Sequence, residues 1–231
     1  MSFMGWDALL RYLPLLAEGA RTTMILFVLT LVCGFLAALP VAFARNAASR
    51  VLSLPAHAFI LFFRGAPLLS VLFLAYYGLP QIPGMRESAI WFLIRDPLPV
   101  AVFALSLNSA GFQAEIVAGA LRAVPNGEVE AARSAGFSRY GIFRHVVAPH
   151  ALRIGIRSFG NEVVFVLKGT AVASFITLRD MMGAANQIYL RTFDPVTPLL
   201  LAGLFYSAFV IAIMRLVARV EVAVTPQLRV R

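Results

Sequence analysis

The sequence predicts an all-α, polytopic membrane protein with about five transmembrane helices. Of its 231 residues, 60% are hydrophobic and only 13% are charged, and the mean hydropathy is +0.83. An ordinary soluble domain is about 25% charged. Residues 22–44 and 195–214 contain no charged side chain. At 1.5 Å per residue, a helix over either stretch crosses the hydrocarbon core, which is roughly 30 Å thick. These stretches are the first and the last predicted spans.

Three further stretches are less uniform in composition. They are residues 51–80, 97–121 and 158–178. Each is mostly apolar but carries ionisable residues. Within lipid, every unpaired backbone group costs several kcal/mol, so a stretch this apolar is a helix or is covered by protein. We therefore predict five spans within a single domain that covers residues 1–231.

The distribution of arginine predicts the orientation of the chain. Cytoplasmic segments are enriched in Lys and Arg, so the side with more of them is the inner side. With an outer N-terminus, twelve arginines lie inside and six lie outside. The inner set is Arg45, Arg50, Arg122, Arg133, Arg139, Arg144, Arg153, Arg157, Arg215, Arg219, Arg229 and Arg231. The outer set is Arg11, Arg21, Arg86, Arg95, Arg179 and Arg191. The sequence thus predicts an outer N-terminus and an inner C-terminus.

Composition and motifs also narrow the function. The net charge is +9, but the arginines stand in short runs between apolar segments rather than on one soluble face, which argues against a nucleic-acid partner. Cys33 is the only cysteine, which excludes a disulfide within the chain and a cysteine-based metal site. No nucleotide-binding or hydrolase motif is present. We therefore expect no enzyme active site, no metal and no cofactor in this chain.

The longest polar connection, residues 122–157, has the features of a docking element. Pro125, Asn126 and Gly127 form a turn before a predicted short helix, with acidic residues in its first turn, where they stabilise the helix dipole. These acids are Glu128 and Glu130. The helix would expose a small-residue face made by Ala131, Ala132, Ala135 and Gly136. Arg139 and Arg144 would remain available to acidic partners.

This connection resembles the signature loop of ABC importer permeases. In that family, Glu-Ala-Ala is followed at fixed spacing by a glycine, an aliphatic residue and Leu-Pro. The matching positions are Glu130, Ala131, Ala132, Gly136, Val146 and Pro149, in order and in spacing. One departure is Ala148, which stands where the family has leucine.

A second resemblance narrows the family to permeases for polar amino acids. The heptapeptide from Phe63 to Leu69 is similar to Phe-Arg-Gly-Thr-Pro-Leu-Leu of that family, with Ala66 in place of threonine. The segments around Glu115 and Glu162 are also similar to it. Within the family, the chain looks most like the M-type subunit of histidine and opine importers, which forms a heterodimer with a Q-type sister.

The resemblance implies a fold, a location and a set of partners. The fold is that of a type I ABC importer permease in the bacterial cell inner membrane, with a periplasmic N-terminus and a cytoplasmic C-terminus. The implied partners are a homologous Q-type permease, two copies of a cytoplasmic ABC ATPase, a periplasmic solute-binding protein, membrane lipid and an amino acid or opine solute. ATP and Mg²⁺ would bind to the ATPase. The implied ATPase-coupling residues are Glu130, Ala131, Ala132, Gly136, Arg139 and Pro149.

Four charged residues within the predicted spans are candidate functional residues. They are Arg64, Glu115, Glu162 and Lys168. A charged side chain at the centre of a span costs about 2.5–3.5 kcal/mol, so each is expected to face protein or water. Glu162 and Lys168 are about 120° from a shared helical face, so they require partners elsewhere. For Lys168 the candidates are Glu115 or an acid of a partner chain. Arg64 is expected to bind carbonyls that are released at a Gly65–Pro67 kink.

Glu162 suits the ammonium or guanidinium group of a solute, since a charge-assisted hydrogen bond is stronger than a neutral one. The predicted solute-binding set is Glu162, Asn161, Ser174, Glu115 and Lys168. Gly169 stands where many members of the family have aspartate, which leaves open a site in the sister chain. The structural alternative is that the four charged residues form ion pairs that hold helices together.

Three functional classes remain open at this point: a subunit of an ATP-driven importer, a self-sufficient channel or secondary transporter, and a membrane enzyme. A docking element favours the first. The second would be favoured by an inverted repeat, and no repeat is visible in the sequence. The third requires a nucleophile and a base in register, which the sequence lacks.

Overall fold

The computed structural model describes residues 6–89 and 91–225, and within these ranges the chain is mostly helical, without strands. Arg229 and Arg231, which the orientation argument counted, lie outside the described residues. The helices are α1 (Trp6–Arg45), α2 (Arg50–Gly65), α3 (Leu68–Phe73), α4 (Trp91–Ile94), α5 (Pro97–Arg122), α6 (Asn126–Ser134), α7 (Arg139–Ile142), α8 (Ala148–Gly169), α9 (Met181–Thr192) and α10 (Val196–Val224). Short π and 3-10 segments extend α3 as far as Gln81, join α7 to α8, and follow α8 over Thr170–Ile176.

The all-α polytopic fold is confirmed. Four helical stretches are long and apolar enough to cross a membrane: Leu10–Arg45, Pro97–Arg122, Arg139–Ile176 and Val196–Val224. The pair made by α2 and the stretch that begins with α3 is apolar enough for a fifth span but is bent by 104°, as in a broken span or a re-entrant loop. Residues 51–80 therefore form two segments rather than the single span that we predicted. The helices also extend beyond the apolar stretches, since α1 begins at Trp6 and α10 continues to Val224.

The break between α2 and α3 is a consequence of Pro67, which has no backbone N–H to donate to the carbonyl of Phe63. The side-chain amide of Asn108 donates to that carbonyl at 2.7 Å. We had expected Arg64 to satisfy the released carbonyls, and this was wrong. The guanidinium of Arg64 lies instead over the ring of Phe112, 5.6 Å from its centroid. The short side-chain amide of Asn108 on α5, rather than the exposed guanidinium of Arg64, therefore satisfies this carbonyl.

Helix α5 lies at the centre of the fold and packs against α1, α2, α3 and α8. Its contact with α1 and α2 is built mainly from alanines. The buried members of this cluster are Ala38, Ala42, Ile60, Ala110, Ala114 and Ala118. Small side chains let helix backbones approach closely, which is the main source of helix association in lipid.

Helix α9, which the sequence analysis did not predict, packs against α1 and α10. Thr177, with φ of 68°, ends the preceding 3-10 segment. Asp180 caps α9 by accepting a hydrogen bond from the amide of Gly183 at 2.8 Å. The amide of Met181 donates to the hydroxyl of Thr23 at 2.9 Å, which attaches the start of α9 to α1.

Candidate functional site

Glu162 lies in a buried polar network rather than on an open surface. Its residue exposure is 5%. The hydroxyl of Ser109 donates to its carboxylate at 2.7 Å, and the side-chain amide of Gln113 donates to the same hydroxyl at 2.7 Å. Ser109 and Gln113 are one turn apart on α5, so the network joins α5 to α8. The carboxylate also interacts electrostatically with Arg64.

The cavity beside Glu162 has a volume of only about 10 Å³. That is room for about one water molecule, so the space does not accommodate an amino acid in this conformation. Its lining includes Ser109, Asn108 and Gly169, but none of the other four predicted solute-binding residues. The structure therefore does not gather the predicted set into one site.

Asn161 and Lys168 lie on a different face of α8, and both are exposed. At 100° per residue they share a narrow sector of the helix with Ser158 and Phe165, which are exposed as well. Lys168 makes no ion pair with another described residue. A charged side chain is costly in lipid, so this face requires water or a partner chain.

Glu115 does not form an ion pair with Lys168, so one of the two partners that we predicted for Lys168 was wrong. Its carboxylate accepts a hydrogen bond from Arg122 at 2.9 Å, two turns further along α5. Arg122 also donates to the side chain of Asn46 at 2.8 Å, which ties the end of α5 to the segment after α1. The hydroxyl of Ser174 donates to the carbonyl of Ala171 at 2.9 Å, within the 3-10 segment. The side chains of Glu115 and Ser174 therefore both form hydrogen bonds to residues of their own helical segments.

Helix α6 carries the predicted docking surface and contains no buried residue. Glu130 and Ala131 are exposed, whereas Ala132 is half-buried. One detail of the prediction was wrong, because only Glu128 lies in the first turn of a helix that begins at Asn126. Pro125 occupies the N-cap position and offers no side-chain hydrogen bond. Glu128 is instead 3.0 Å from the imidazole of His150 on α8.

Gly136 has a conformational role that the sequence analysis did not assign. Its φ is +80°, in the left-handed region that favours glycine. Its amide donates to the carbonyl of Arg133 at 3.0 Å, and the amide of Phe137 donates to that of Ala132 at 3.1 Å, which caps α6. Its Cα faces open space. Gly136 therefore ends the helix and leaves an uncovered surface beside it.

The remaining coupling residues flank this surface. Arg139 begins α7 and is exposed, and Pro149 lies in the first turn of α8. Two exposed aromatic residues extend the surface, Phe137 at 49% and Tyr140 at 69%. Neither residue belongs to the predicted coupling set. Their occurrence in a polar connection was the available signal, because large apolar side chains in such a segment require a partner surface.

Comparison with known proteins identifies the family. Residues 30–225 match the family described as binding-protein-dependent transport system inner membrane component. The nopaline transport system permease protein NocM of Agrobacterium fabrum is 36% identical, covering 94% of this chain and 91% of NocM. The octopine transport system permease protein OccM of Rhizobium meliloti is 37% identical, covering 94% and 89%. A solved structure described as an amino acid ABC transporter with histidines has a TM-score of 0.83 at 28% identity, covering 95% of this chain and 99% of that chain. This chain belongs to the family of inner membrane components of binding-protein-dependent transport systems.

Proposed function

We propose that this chain is a permease subunit of an ABC importer that brings an amino acid or an opine into the cytoplasm. The observation that carries the proposal is α6, a capped helix without a buried residue, bordered by exposed aromatic side chains. Exposed aromatic side chains beside such a helix are typical of a surface that binds another protein. The relatedness to permeases for nopaline and octopine supports the solute class.

The proposed assembly contains this chain, a homologous sister permease, two copies of a cytoplasmic ATPase and a periplasmic solute-binding protein. ATP binds between the ATPase subunits, and α6 transmits their closure to the spans. Helix α6 is connected to α5 by the three residues that follow Arg122, and Arg122 is fixed by Glu115 and Asn46. A displacement of α6 is therefore passed to α5, which packs against most of the fold.

The docking proposal is tested with Ala131→Arg, which places a long cation on the exposed face of α6 without filling a cavity. We expect ATPase copurification and solute-stimulated ATP hydrolysis to be lost while membrane yield is unchanged. Ala218→Arg is the matched control, because Ala218 is exposed near the end of α10. Copurification of an ATPase with the Ala131→Arg variant at the level of the parent would remove α6 from the contact.

Variants of Gly136 distinguish its role in the positive-φ backbone conformation from a role in direct contact with the ATPase. Gly136→Asn keeps a residue that tolerates positive φ, whereas Gly136→Asp adds a charge as well. If the surface requires a small neutral residue, both variants lose coupling. If only the backbone conformation matters, Gly136→Asn retains it. Transport and stimulated ATP hydrolysis in reconstituted complexes distinguish the two results.

We further propose that the solute path runs along the exposed face of α8. Lys168 supplies a cation and Asn161 supplies donors and acceptors, and both suit the α-carboxylate of an amino acid or opine. The two residues are two turns apart, about 10 Å along the helix, which is within the length of an extended solute. In this proposal Glu162 lies behind the path and holds α5 against α8.

Three variants test this arrangement. We expect Asn161→Ala and Lys168→Met to lower transport while basal ATP hydrolysis and yield stay near the parent level. Glu162→Ala is expected to lower the yield instead, because it leaves the hydroxyl proton of Ser109 without an acceptor in the buried network. If Glu162→Gln alone abolished solute stimulation at normal yield, while Asn161→Ala transported normally, Glu162 would be a direct ligand and the α8 path would be wrong.

The orientation of the chain is part of the proposal. A reporter that is active only in the cytoplasm is expected to function when it is fused after Arg231 and to be inactive at Met1. This arrangement places α6 on the cytoplasmic side, where an ATPase can reach it. The opposite pattern of activity would place α6 outside and would contradict both the orientation and the docking proposal.

A further inference from the structure

The small cavity beside Glu162 has a wall on α1, where Thr30 contributes a buried hydroxyl group. Thr30 lines this cavity and is 1% exposed, and its hydroxyl forms no hydrogen bond with any other described residue. The hydroxyl of Ser106 on α5 donates to the backbone carbonyl of Thr30 at 3.4 Å, which places this turn of α1 against α5. A buried hydroxyl without a partner is costly, because folding has removed its hydrogen bonds to water. Thr30 therefore requires a hydrogen-bond partner inside the cavity.

Helices α5 and α8 bring two hydrogen-bond acceptors to the same cavity. The carboxylate of Glu162 on α8 accepts from Ser109 through Oε1, and no described residue donates to its other oxygen. The side-chain nitrogen of Asn108 on α5 donates to Phe63, but its side-chain oxygen accepts no hydrogen bond from the described residues. Carboxylate and amide oxygens each have two lone pairs to accept with. Polar side chains from three helices thus meet at one cavity with unused hydrogen-bonding capacity.

The size and the lining of the cavity indicate which ligand it holds. Its volume of about 10 Å³ is enough for one water molecule. Much of the lining is apolar, since it includes Leu68, Leu105, Phe165 and Val166. A hard metal cation takes about six oxygen ligands, which such a lining does not supply. A buried water forms about three hydrogen bonds, and Thr30, Asn108 and Glu162 together offer one donor and two acceptors.

We propose that the cavity binds one structural water molecule, which accepts a hydrogen bond from Thr30 and donates to Glu162 and Asn108. Both protons of the water are then used, and the Thr30 hydroxyl is satisfied. The water connects α1 to the contact between Ser109 and Glu162 that joins α5 to α8. Thr30 and Glu162 therefore depend on each other, although no hydrogen bond joins them directly. The site belongs to the packing of the helices and does not depend on the course of the solute path.

A double-mutant cycle between Thr30 and Glu162 tests the bridge in the complex, purified with its copurifying subunits. Thr30→Val has nearly the shape of the parent side chain but cannot donate, and Glu162→Gln replaces a charge-assisted hydrogen bond with a weaker neutral one. Both variants weaken the same bridge. The double variant is therefore expected to lose about 2–4 °C less in melting temperature than the sum of the two single losses. Additive losses would overturn the proposal.

Two matched variants show whether the coupling is specific to the bridge. Thr23→Val removes another buried hydroxyl of α1, which accepts from the amide of Met181 and lies about 10 Å from Thr30 along the helix. Thr30→Ser removes a methyl group and keeps the hydroxyl. The losses from both variants are expected to add to the loss from Glu162→Gln. The same coupling with Thr23→Val would reflect a general response of α1 and would refute the bridge.

The ligand itself is identified by a crystal structure of the complex at a resolution that shows ordered water. We expect one density peak in the parent cavity and none in the cavity of the Thr30→Val variant. Sodium chloride, compared with choline chloride at equal ionic strength, is expected to affect the melting temperatures of parent and variant equally, because the site holds water rather than a cation. An empty parent cavity, a peak that persists in the variant, or a greater stabilisation of the parent by sodium would each contradict the proposal.

Discussion

Helices α5 and α10 both cross the membrane, yet they occupy opposite environments. The most apolar window of α10 has a mean hydropathy of 2.2 and is 11% buried, whereas that of α5 has a mean hydropathy of 1.4 and is 61% buried. The less apolar helix is thus the central one. In water the order would be reversed, because there the hydrophobic effect buries the most apolar surface.

The difference shows what hydropathy reports in a membrane protein. Lipid solvates leucine as well as protein does, so a highly apolar helix has no reason to leave the lipid. Buried positions of α5 are taken by alanines, which permit close packing, and by Ser109, Asn108 and Gln113, which find hydrogen-bond partners inside. Close packing and internal hydrogen bonds therefore fix the position of α5, while α10 is held at few places.

The largest expected effect comes from enlarging a glycine on each helix. A Cβ added at Gly111 of α5 would lie 3.0 Å from the Cβ of Phe63, whereas Gly203 of α10 has nothing within 4 Å. Gly111→Leu is therefore expected to force α2 away from α5 and to destabilise the protein by about 3 kcal/mol or more. Gly203→Leu is expected to be neutral.

Thermal unfolding of the two purified variants, followed by size-exclusion chromatography in detergent, provides the measurement. A loss of folded protein for Gly111→Leu beside parent-like melting of Gly203→Leu is the expected result. Equal melting temperatures for the two variants would contradict the prediction, because they would mean that α5 is no more tightly packed than α10.

The second effect concerns the polar contact that joins α9 to α10. Burial raises the pKa of Asp180 from 3.8 to about 6, although the amide of Gly183 acts in the opposite direction. The hydroxyl of Tyr206 on α10 donates to the carboxylate at 3.4 Å. Because the folded state binds the proton more tightly, stability is fully present below about pH 4 and is lost as the pH rises to about 6.

The predicted loss is about 3 kcal/mol, at 1.36 kcal/mol for each unit of pKa. Asp180→Asn keeps an acceptor for the Gly183 amide but cannot ionise, so its melting temperature is expected to lack this decline. The measurement is the difference in melting temperature between parent and variant from pH 4 to pH 7. A difference that stayed constant over this range would show that Asp180 does not titrate as described.

How far the sequence determines these features depends on the range of the interactions. Residues 22–44 and 195–214 predicted spans because hydropathy is a local property, and the Glu-Ala-Ala pattern located α6 for the same reason. The interpretation failed where partners are distant in sequence. Asn108 reaches Phe63 across 45 positions, and Thr23 reaches Met181 across 158, and no local pattern encodes either pairing.

The solute-binding prediction shows the same limit. Glu162 was selected because a charge in a span is unusual, and that reasoning cannot distinguish a buried structural acid from a ligand. The structure adds that Ser109 on α5 donates to this carboxylate and that Gln113 donates to the Ser109 hydroxyl, which supports the proposal that Glu162 lies behind the solute path. Their spacing of four residues was visible in the sequence and indicated a polar face of α5, but its partner helix was not.

A smaller effect is expected when the partner of the α2–α3 break is removed. Asn108→Ala leaves the partly buried carbonyl of Phe63 without its side-chain donor, which costs about 1–3 kcal/mol. Asn161→Ala is the matched control, since Asn161 is exposed. Melting temperatures of the two variants check the difference. A larger loss for Asn161→Ala than for Asn108→Ala would contradict the assignment of Asn108 as the structural amide.

The smallest effect is expected at the far end of α10, where Arg157 of α8 donates to Glu221 at 2.7 Å. The arginine side chain is 75% exposed, so solvent and salt screen the pair. Glu221→Gln is expected to cost about 0.5 kcal/mol, a loss that disappears in high salt.

The apolar contact on the same pair of helices is tighter, because a Cβ on Gly160 would collide with Val217. Gly160→Ala is therefore expected to lower the melting temperature more than Glu221→Gln does, and to do so at every salt concentration. The opposite order would mean that charge rather than packing holds α10 to the protein.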